Sequence, residues 1–307
     1  MEREDDFKLY LETLGRRMQV CGLRQKGKHM GKKTKIDWCD STWNPVTGCL
    51  RGCEYCYARR IAERFRAKEF SGAYTVNEEE NVPRTTYELE EPVKRCCTDA
   101  KGLHVYEKAP YPFGFVPTFH RYRLDDPKHW KQPKNIFVCS MADLFGEWVP
   151  DEWIKEVLKA CEAAPWHRYL FLTKNGKRYK DLYEKGIMPM GIHSWNKWFG
   201  CTVERETDDF FFNNLYGSGI DHQGFLSIEP MLSDFEPGVI DQDATGIKWV
   251  IVGAETGNRK GKVGPQRAWV EHIAQTCKAS SIPLFMKDSL RGLMGDDFRQ
   301  EFPWEDE

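Results

Sequence analysis

Cys49, Cys53 and Cys56 lie in the run Gly48-Cys49-Leu50-Arg51-Gly52-Cys53-Glu54-Tyr55-Cys56-Tyr57-Ala58, spaced C-x3-C-x2-C. With 11 cysteines in 307 residues, the chance of this spacing arising somewhere by accident is roughly 0.01 to 0.02. Thiolates are soft ligands, and three of them hold three irons of a cube while leaving the fourth iron free for an outside ligand. Structural zinc takes four protein ligands. The nearest extra thiol is Cys39 and the nearest imidazole His29, and neither falls in a paired C-x2-C…C-x2-C arrangement. A [4Fe–4S] cluster on the three cysteines is the favoured reading, with structural zinc and a redox role for the thiols as alternatives.

Such a loop needs elements to hold it. Six short apolar runs each close on a polar or charged side chain: Ile136 to Asp143, Tyr169 to Lys174, Trp198 to Glu204, Phe225 to Glu229, Trp249 to Glu255 and Pro283 to Lys287. Several are rich in β-branched or aromatic residues and too short for helices, which predicts buried parallel strands. Between them, Asp151 to Ala163 and Gln266 to Ala279 carry apolar residues at helical spacing, each after a proline that suits a helix start. The alternation predicts βαβ units in a barrel or an open parallel sheet. Active sites in such folds sit at the carboxyl ends of the strands, where Asp143, Lys174, Glu204, Glu229, Glu255 and Lys287 fall. The alternative for each is a charge that marks where a strand leaves the core.

Hydrophobic residues make up 40% of the chain and charged residues 30%, a globular balance. Lys plus Arg is 45 and Asp plus Glu 47, so the net charge of −2 exerts no global pull on nucleic acid. Local basic groups exist at Lys26, Lys28, Lys32, Lys33 and Lys35, at Arg59, Arg60, Arg64 and Arg66, and at Arg121 and Arg123, and solvated faces explain them equally well. No apolar run of about 18 residues and no secretory leader is found, so no membrane partner and a cytoplasmic location are expected. An odd number of cysteines in such a chain argues for reduced thiols. Residues 1–33 read as an appendage and linker, with Met30 as a possible alternative start. Residues 34–290 read as the α/β domain, 71–134 within it as an insertion without periodicity, and 291–307 as an acidic tail.

The three-cysteine spacing, with the aromatic Tyr55 before the third cysteine and helix-like residues from Tyr57 to Lys68 after it, resembles the signature of the radical S-adenosylmethionine superfamily. More narrowly, Lys35 to Trp38, Thr42 to Pro45, Gly48 to Ala58, Phe137 to Phe145 and Val252 to Gly257 resemble a phage-associated three-cysteine-motif family. The resemblance implies a partial (β/α) TIM-like barrel of about six to seven parallel strands with the cluster loop after the first strand. It also implies S-adenosylmethionine as cofactor, an external electron donor, and reductive cleavage to a 5′-deoxyadenosyl radical. By the same analogy Tyr55 approaches the adenine, and Ser140 and Asp143 lie where the superfamily binds the cofactor's amino group. The glycine-rich signature usual at that place is absent. Thr202 and Gly253 are further expected cofactor contacts, and Lys174, Glu204, Glu229 and Glu255 are the catalytic candidates.

The phage association, which implies a host-cytoplasm location, points to DNA or a modified nucleoside as substrate, for instance an isomerase acting on an amino-acid-modified thymidine. Trp195, Trp198, Phe119 and Tyr122 are candidate stacking residues for a flipped base or, equally, core. A peptide or small-metabolite substrate, and a non-catalytic cluster or zinc protein, remain the alternatives. Cys139, Cys161, Cys201 and Cys277 are expected as buried small apolar residues, and the adjacent Cys96 and Cys97 do not suggest a second cluster.

Overall fold

Period-two burial builds the central sheet. In the computed structural model the described residues are 34–78, 85–98, 101–189, 195–205, 223–235, 240 and 246–304. The chain divides into Met1–Lys35 and Ile36–Glu307. The expected appendage 1–33, with its lysines and His29, lies outside the described residues. All the strands and helices named here belong to the second unit.

Seven strands form one parallel half-barrel in the order β1 (Ser41–Trp43), β9 (Asn135–Val138), β10 (Arg168–Thr173), β11 (Lys197–Thr202), β12 (Gly224–Ile228), β13 (Ile247–Val252) and β14 (Leu284–Met286). The expected α/β partial barrel, including the number of strands, is what the structure contains. The predicted runs become strands because their alternate residues bury on opposite faces. Ile136, Val138, Tyr169, Phe171, Phe199, Cys201, Leu226, Ile228, Val250 and Val252 belong to one core cluster. They pack there against helices α2 (Asp151–Glu162), α3 (Lys177–Glu184) and α4 (Arg267–Ala279), through Trp153, Ile154, Val157, Tyr179, Leu182, Val270 and Ile273.

The residues between them, Phe137, Leu170, Trp198, Phe225, Trp249, Ile251 and Phe285, face the concave side and form a second cluster with Trp38. Trp38 lies 4.6 Å from the Phe137 ring and 6.3 Å from both Phe225 and Trp249. Phe302 and Trp304 also pack on this cluster. Gly200 makes room for it: a Cβ there would sit 2.5 Å from the Phe225 ring. The lower part of the half-barrel is thus filled with aromatic side chains.

The acidic C-terminal segment is part of this closure. Gln300 bridges Phe285 in antiparallel sense, Met286 N donates to Arg299 O at 2.9 Å, and the Trp249 indole donates to Glu301 O at 2.9 Å. The Arg168 guanidinium lies 4.2 Å from the Trp304 ring.

Residues 71–134 contain most of two small sheets. One has the order β2 (Val46–Thr47), β8 (Thr118–His120), β5 (Thr85–Leu89), β4 (Thr75–Glu78), and the other β3 (Phe70–Ser71), β6 (Lys94–Thr98), β7 (His104–Lys108). The helix expected over Tyr57 to Lys68 is α1 (Tyr57–Arg64), shorter by four residues. It ends because Ala67 turns into a satellite core with Leu89, Val93 and Phe113. Among the described residues no helix is long and apolar enough to cross a membrane.

Candidate active site

The three-cysteine loop follows the first strand of the half-barrel by way of the short β2, and its entry is fixed by polar contacts that start at Trp43. The Trp43 indole donates to Arg123 O at 2.8 Å, and Arg123 donates to Asn44 O at 2.9 Å. Asn44 Oδ1 in turn accepts from Met141 N at 2.9 Å and from the Ser140 hydroxyl at 3.2 Å. Asn44 therefore ties the end of β1 to the turn after β9. Gly48 comes next with φ of +90°, donating to Met141 O at 2.9 Å. A Cβ at Gly48 would lie 2.3 Å from Val116 O, so only glycine lets the chain pass into the loop.

Cys49, Cys53 and Cys56 are free and half-buried. Cys56 is the N-cap of α1, and its sulfur accepts a hydrogen bond from Arg59 N at 3.3 Å. Burial pushes the Cys49 thiol up to about 12, with Asp143, Cys53 and Cys56 adding to the effect. Among the described residues no three histidine, cysteine or carboxylate side chains converge on a point that would hold a single metal ion. A cube does not need that convergence, because its thiolates ligate separate irons. The donor set of three thiols suits a [4Fe–4S] cluster better than a four-ligand zinc site.

The residues between the cysteines reach out to the strand ends. The Arg51 guanidinium lies 3.9 Å from Asp143. Asp143 is buried, and its carboxylate accepts from the Thr173 hydroxyl at 2.6 Å, Phe145 N at 3.2 Å and Lys174 N at 3.2 Å. Burial raises the pKa of Asp143 and these hydrogen bonds oppose the rise. The Tyr55 hydroxyl donates to Glu204 and accepts from Lys174 Nζ at 2.7 Å, and Lys174 also pairs with Glu204. The Lys174 ammonium lies 5.2 Å from the centre of the Tyr55 ring. Tyr55, Lys174 and Glu204, named from sequence on separate grounds, thus form one cluster.

Glu255 is buried after β13 and gripped by Arg259 through two hydrogen bonds of 2.7 Å, which lower its pKa. The Tyr57 hydroxyl donates to Ser140 O at 2.8 Å. Although 42% of Tyr57 is open, its hydroxyl is enclosed, and burial and then Glu229 raise its pKa.

A second ion pair stands on the other side of the mouth. Strand alternation puts Thr202, Ser227, Glu229, Gly253 and Lys287 on the concave face, above the aromatic floor: Ser227, Gly253 and Lys287 one pleat on, Thr202 and Glu229 two. Lys287 pairs with Glu229 across β13. Its side chain passes Gly253, where a Cβ would come 2.8 Å from Lys287 Cδ. The Ser227 hydroxyl is wholly buried and has no hydrogen-bond partner among the described residues. Thr202 is half-buried and in register with Ser227.

Sequence reasoning assigned no role in the site to Asn44, Arg51, Arg123, Ser227 or Arg259. Asn44 stood in a quoted motif, and the place of Ser227 is set by period two once β12 is located. The Arg51–Asp143 and Arg259–Glu54 contacts had no local signal, whereas the Glu255–Arg259 pair spans only four residues of sequence. Of the aromatic residues expected either to stack on a base or to be core, two are core: Phe119 is fully buried against Trp153, and Trp198 lies in the concave cluster against Trp304. Tyr122 is held by His120 and Arg123, and Trp195 is half-buried beside β11.

Two solved structures of spore photoproduct lyase resemble the chain. A cysteine-to-serine mutant has 10% identity over 84% of this chain and 81% of its own, with a TM-score of 0.43. A tyrosine-to-phenylalanine mutant has 9% identity over 89% and 93%, with a TM-score of 0.40. No curated protein matches the sequence. Residues 33–293 match the family described as protein of unknown function (DUF5131), and the chain belongs to that family.

Proposed function

We propose that this protein is a radical S-adenosylmethionine enzyme whose [4Fe–4S] cluster is held by Cys49, Cys53 and Cys56. The observation that carries the reading is positional: the three-thiol loop follows β1 of a parallel half-barrel by way of the short β2, and Arg51, Tyr55 and Tyr57, in and just after the loop, are tied to the polar strand ends. The cluster, when bound, supplies reductive cleavage of S-adenosylmethionine to methionine and a 5′-deoxyadenosyl radical.

The chain's own residues bind, orient and exclude water. Tyr55 offers its ring to the adenine, with Lys174 and Glu204 fixing its hydroxyl. Ser140, Thr202 and Gly253 line the cofactor side. Asp143 and Glu255 act as struts, since their oxygens are engaged by the protein itself. Glu229 and Lys287 face the second substrate, and Phe225, Trp249 and Trp38 form a floor that keeps water out from below. A reduced external electron donor completes the reaction.

For the substrate we favour DNA or a modified nucleoside, with rearrangement of an amino-acid-modified thymidine as the concrete form. Supporting this, Arg51, Arg60, Arg64, Lys260 and Lys262 are exposed on the cluster loop, α1 and the segment after β13. Cations placed there neutralise phosphates despite a net charge of −2.

Anaerobic reconstitution with iron and sulfide, followed by reduction in the presence of S-adenosylmethionine, tests the reading. Wild type is expected to hold the cluster and release 5′-deoxyadenosine, and Cys53→Ala to do neither. A wild type that loads iron and sulfide yet releases none refutes it. Intact-mass analysis of nucleosides from incubated DNA tests the substrate: a mass-neutral rearrangement or new adduct supports it, and unchanged nucleosides count against it.

A further inference from the structure

We infer that Arg259 is a positioning residue for the three-cysteine loop, holding Glu54, and with it Cys53 and Tyr55, against the carboxyl end of β13. This rests on the reading of the loop as the cluster site and adds a residue that the cysteine motif does not contain. The Arg259 guanidinium divides its donors: Nε and Nη2 hold the two oxygens of Glu255 at 2.7 Å each, while Nη1 reaches Glu54 Oε2 at 3.4 Å. Glu255 is the anchor, with 2% of its side chain open, whereas 83% of the Glu54 side chain is open. The planar fork suits this bridging, because two donors fix its orientation and leave the third aimed at the loop. A lysine cannot satisfy both carboxylates with the same geometry.

One further contact brings the segment after β13 against α1, and a second, internal to the segment, holds its turn. Gly257, at φ of +90°, leaves only 3.3 Å between a would-be Cβ and the Arg60 guanidinium, so α1 rests on this turn. Lys262 Nζ donates to Gly257 O at 3.4 Å. On the opposite flank of Cys53, Arg51 lies 3.9 Å from Asp143. Cys53 therefore sits between two ionic ties of opposite polarity, one to the β9 end and one to the β13 end. The Glu54 tie is the more exposed of the two and hence the more sensitive to salt.

The test is the alkylation rate of each cysteine in the metal-free full-length chain, read by peptide mass after timed exposure to iodoacetamide. Arg259→Gln and Glu54→Gln are each expected to speed alkylation of Cys53 severalfold, because either change removes the tie that holds the loop. The double variant is expected to be no faster than either single one, and Arg259→Lys to fall between wild type and Arg259→Gln. Cys139 and Cys277, buried in the core, report global unfolding. Unchanged Cys53 rates overturn the inference, and so does equal acceleration at Cys139 and Cys277, which reveals a general stabilising role instead. Iron and sulfide loading of the wild type is measured in parallel. A wild type that assembles no cluster refutes the function reading alone, because the alkylation comparison needs no metal.

Discussion

Lys174 and Tyr55, 119 residues apart in sequence, meet through a 2.7 Å hydrogen bond from the ammonium to the phenol oxygen. The contact joins the residue before the third cysteine to the end of β10, and Glu204 after β11 closes the cluster. A hydrogen bond to a charged group contributes about 1.5–3 kcal/mol. Lys174→Met is therefore expected to lower 5′-deoxyadenosine formation by roughly tenfold to a hundredfold, with iron and sulfide content unchanged. A variant cleaving S-adenosylmethionine at the wild-type rate removes Lys174 from the site.

Asp143 is expected to carry stability more than chemistry. Replacing it by alanine strands the Thr173 hydroxyl and Lys174 N and leaves Arg51 without its partner. Leaving a buried hydrogen-bonding group unsatisfied costs about 1–3 kcal/mol. Urea unfolding of Asp143→Ala should show a loss of that order, and Asp143→Asn, which keeps an acceptor, a smaller one. A loss below about 1 kcal/mol contradicts the strut role.

The Glu255–Arg259 pair predicts a pH dependence. Arg259 lowers the Glu255 pKa in the folded protein. Its contribution is therefore present above the ordinary glutamate range and disappears as pH falls through the lowered value. The stability gap between wild type and Glu255→Gln should be full near neutrality and close in acid. A gap that widens on acidification reverses the sign and refutes the assignment.

Gly200 is expected to be intolerant of any side chain. Its Cβ would stand 2.5 Å from the Phe225 ring, which is itself wedged among Trp38 and Trp249. Overpacking costs about 1–3 kcal/mol, so Gly200→Ala should lower the midpoint of urea unfolding without changing its slope. An unchanged midpoint shows that the aromatic floor yields.

The strands and their closing residues were legible because a parallel sheet buried on both faces leaves short unbroken apolar runs, as in Phe225 to Ile228. The cluster loop was legible because ligand spacing survives as sequence spacing. The small sheets over 71–134 were not: β7 is exposed at all five positions, so it carries no burial period. The tail misled by composition, since Asp and Glu conceal Phe302 and Trp304, which reach the concave core. The tie from Arg259 to Glu54 was invisible for a topological reason: the two lie 205 residues apart, and only the closing of the half-barrel brings them together.

The central claim is tested most directly by electron paramagnetic resonance of the reduced, iron-loaded protein with and without S-adenosylmethionine. An iron left free by Cys49, Cys53 and Cys56 predicts a cluster signal whose shape changes when that molecule is added. Iron-loaded protein with the same spectrum in both samples, or purified protein holding tetrahedral zinc in place of iron, contradicts it.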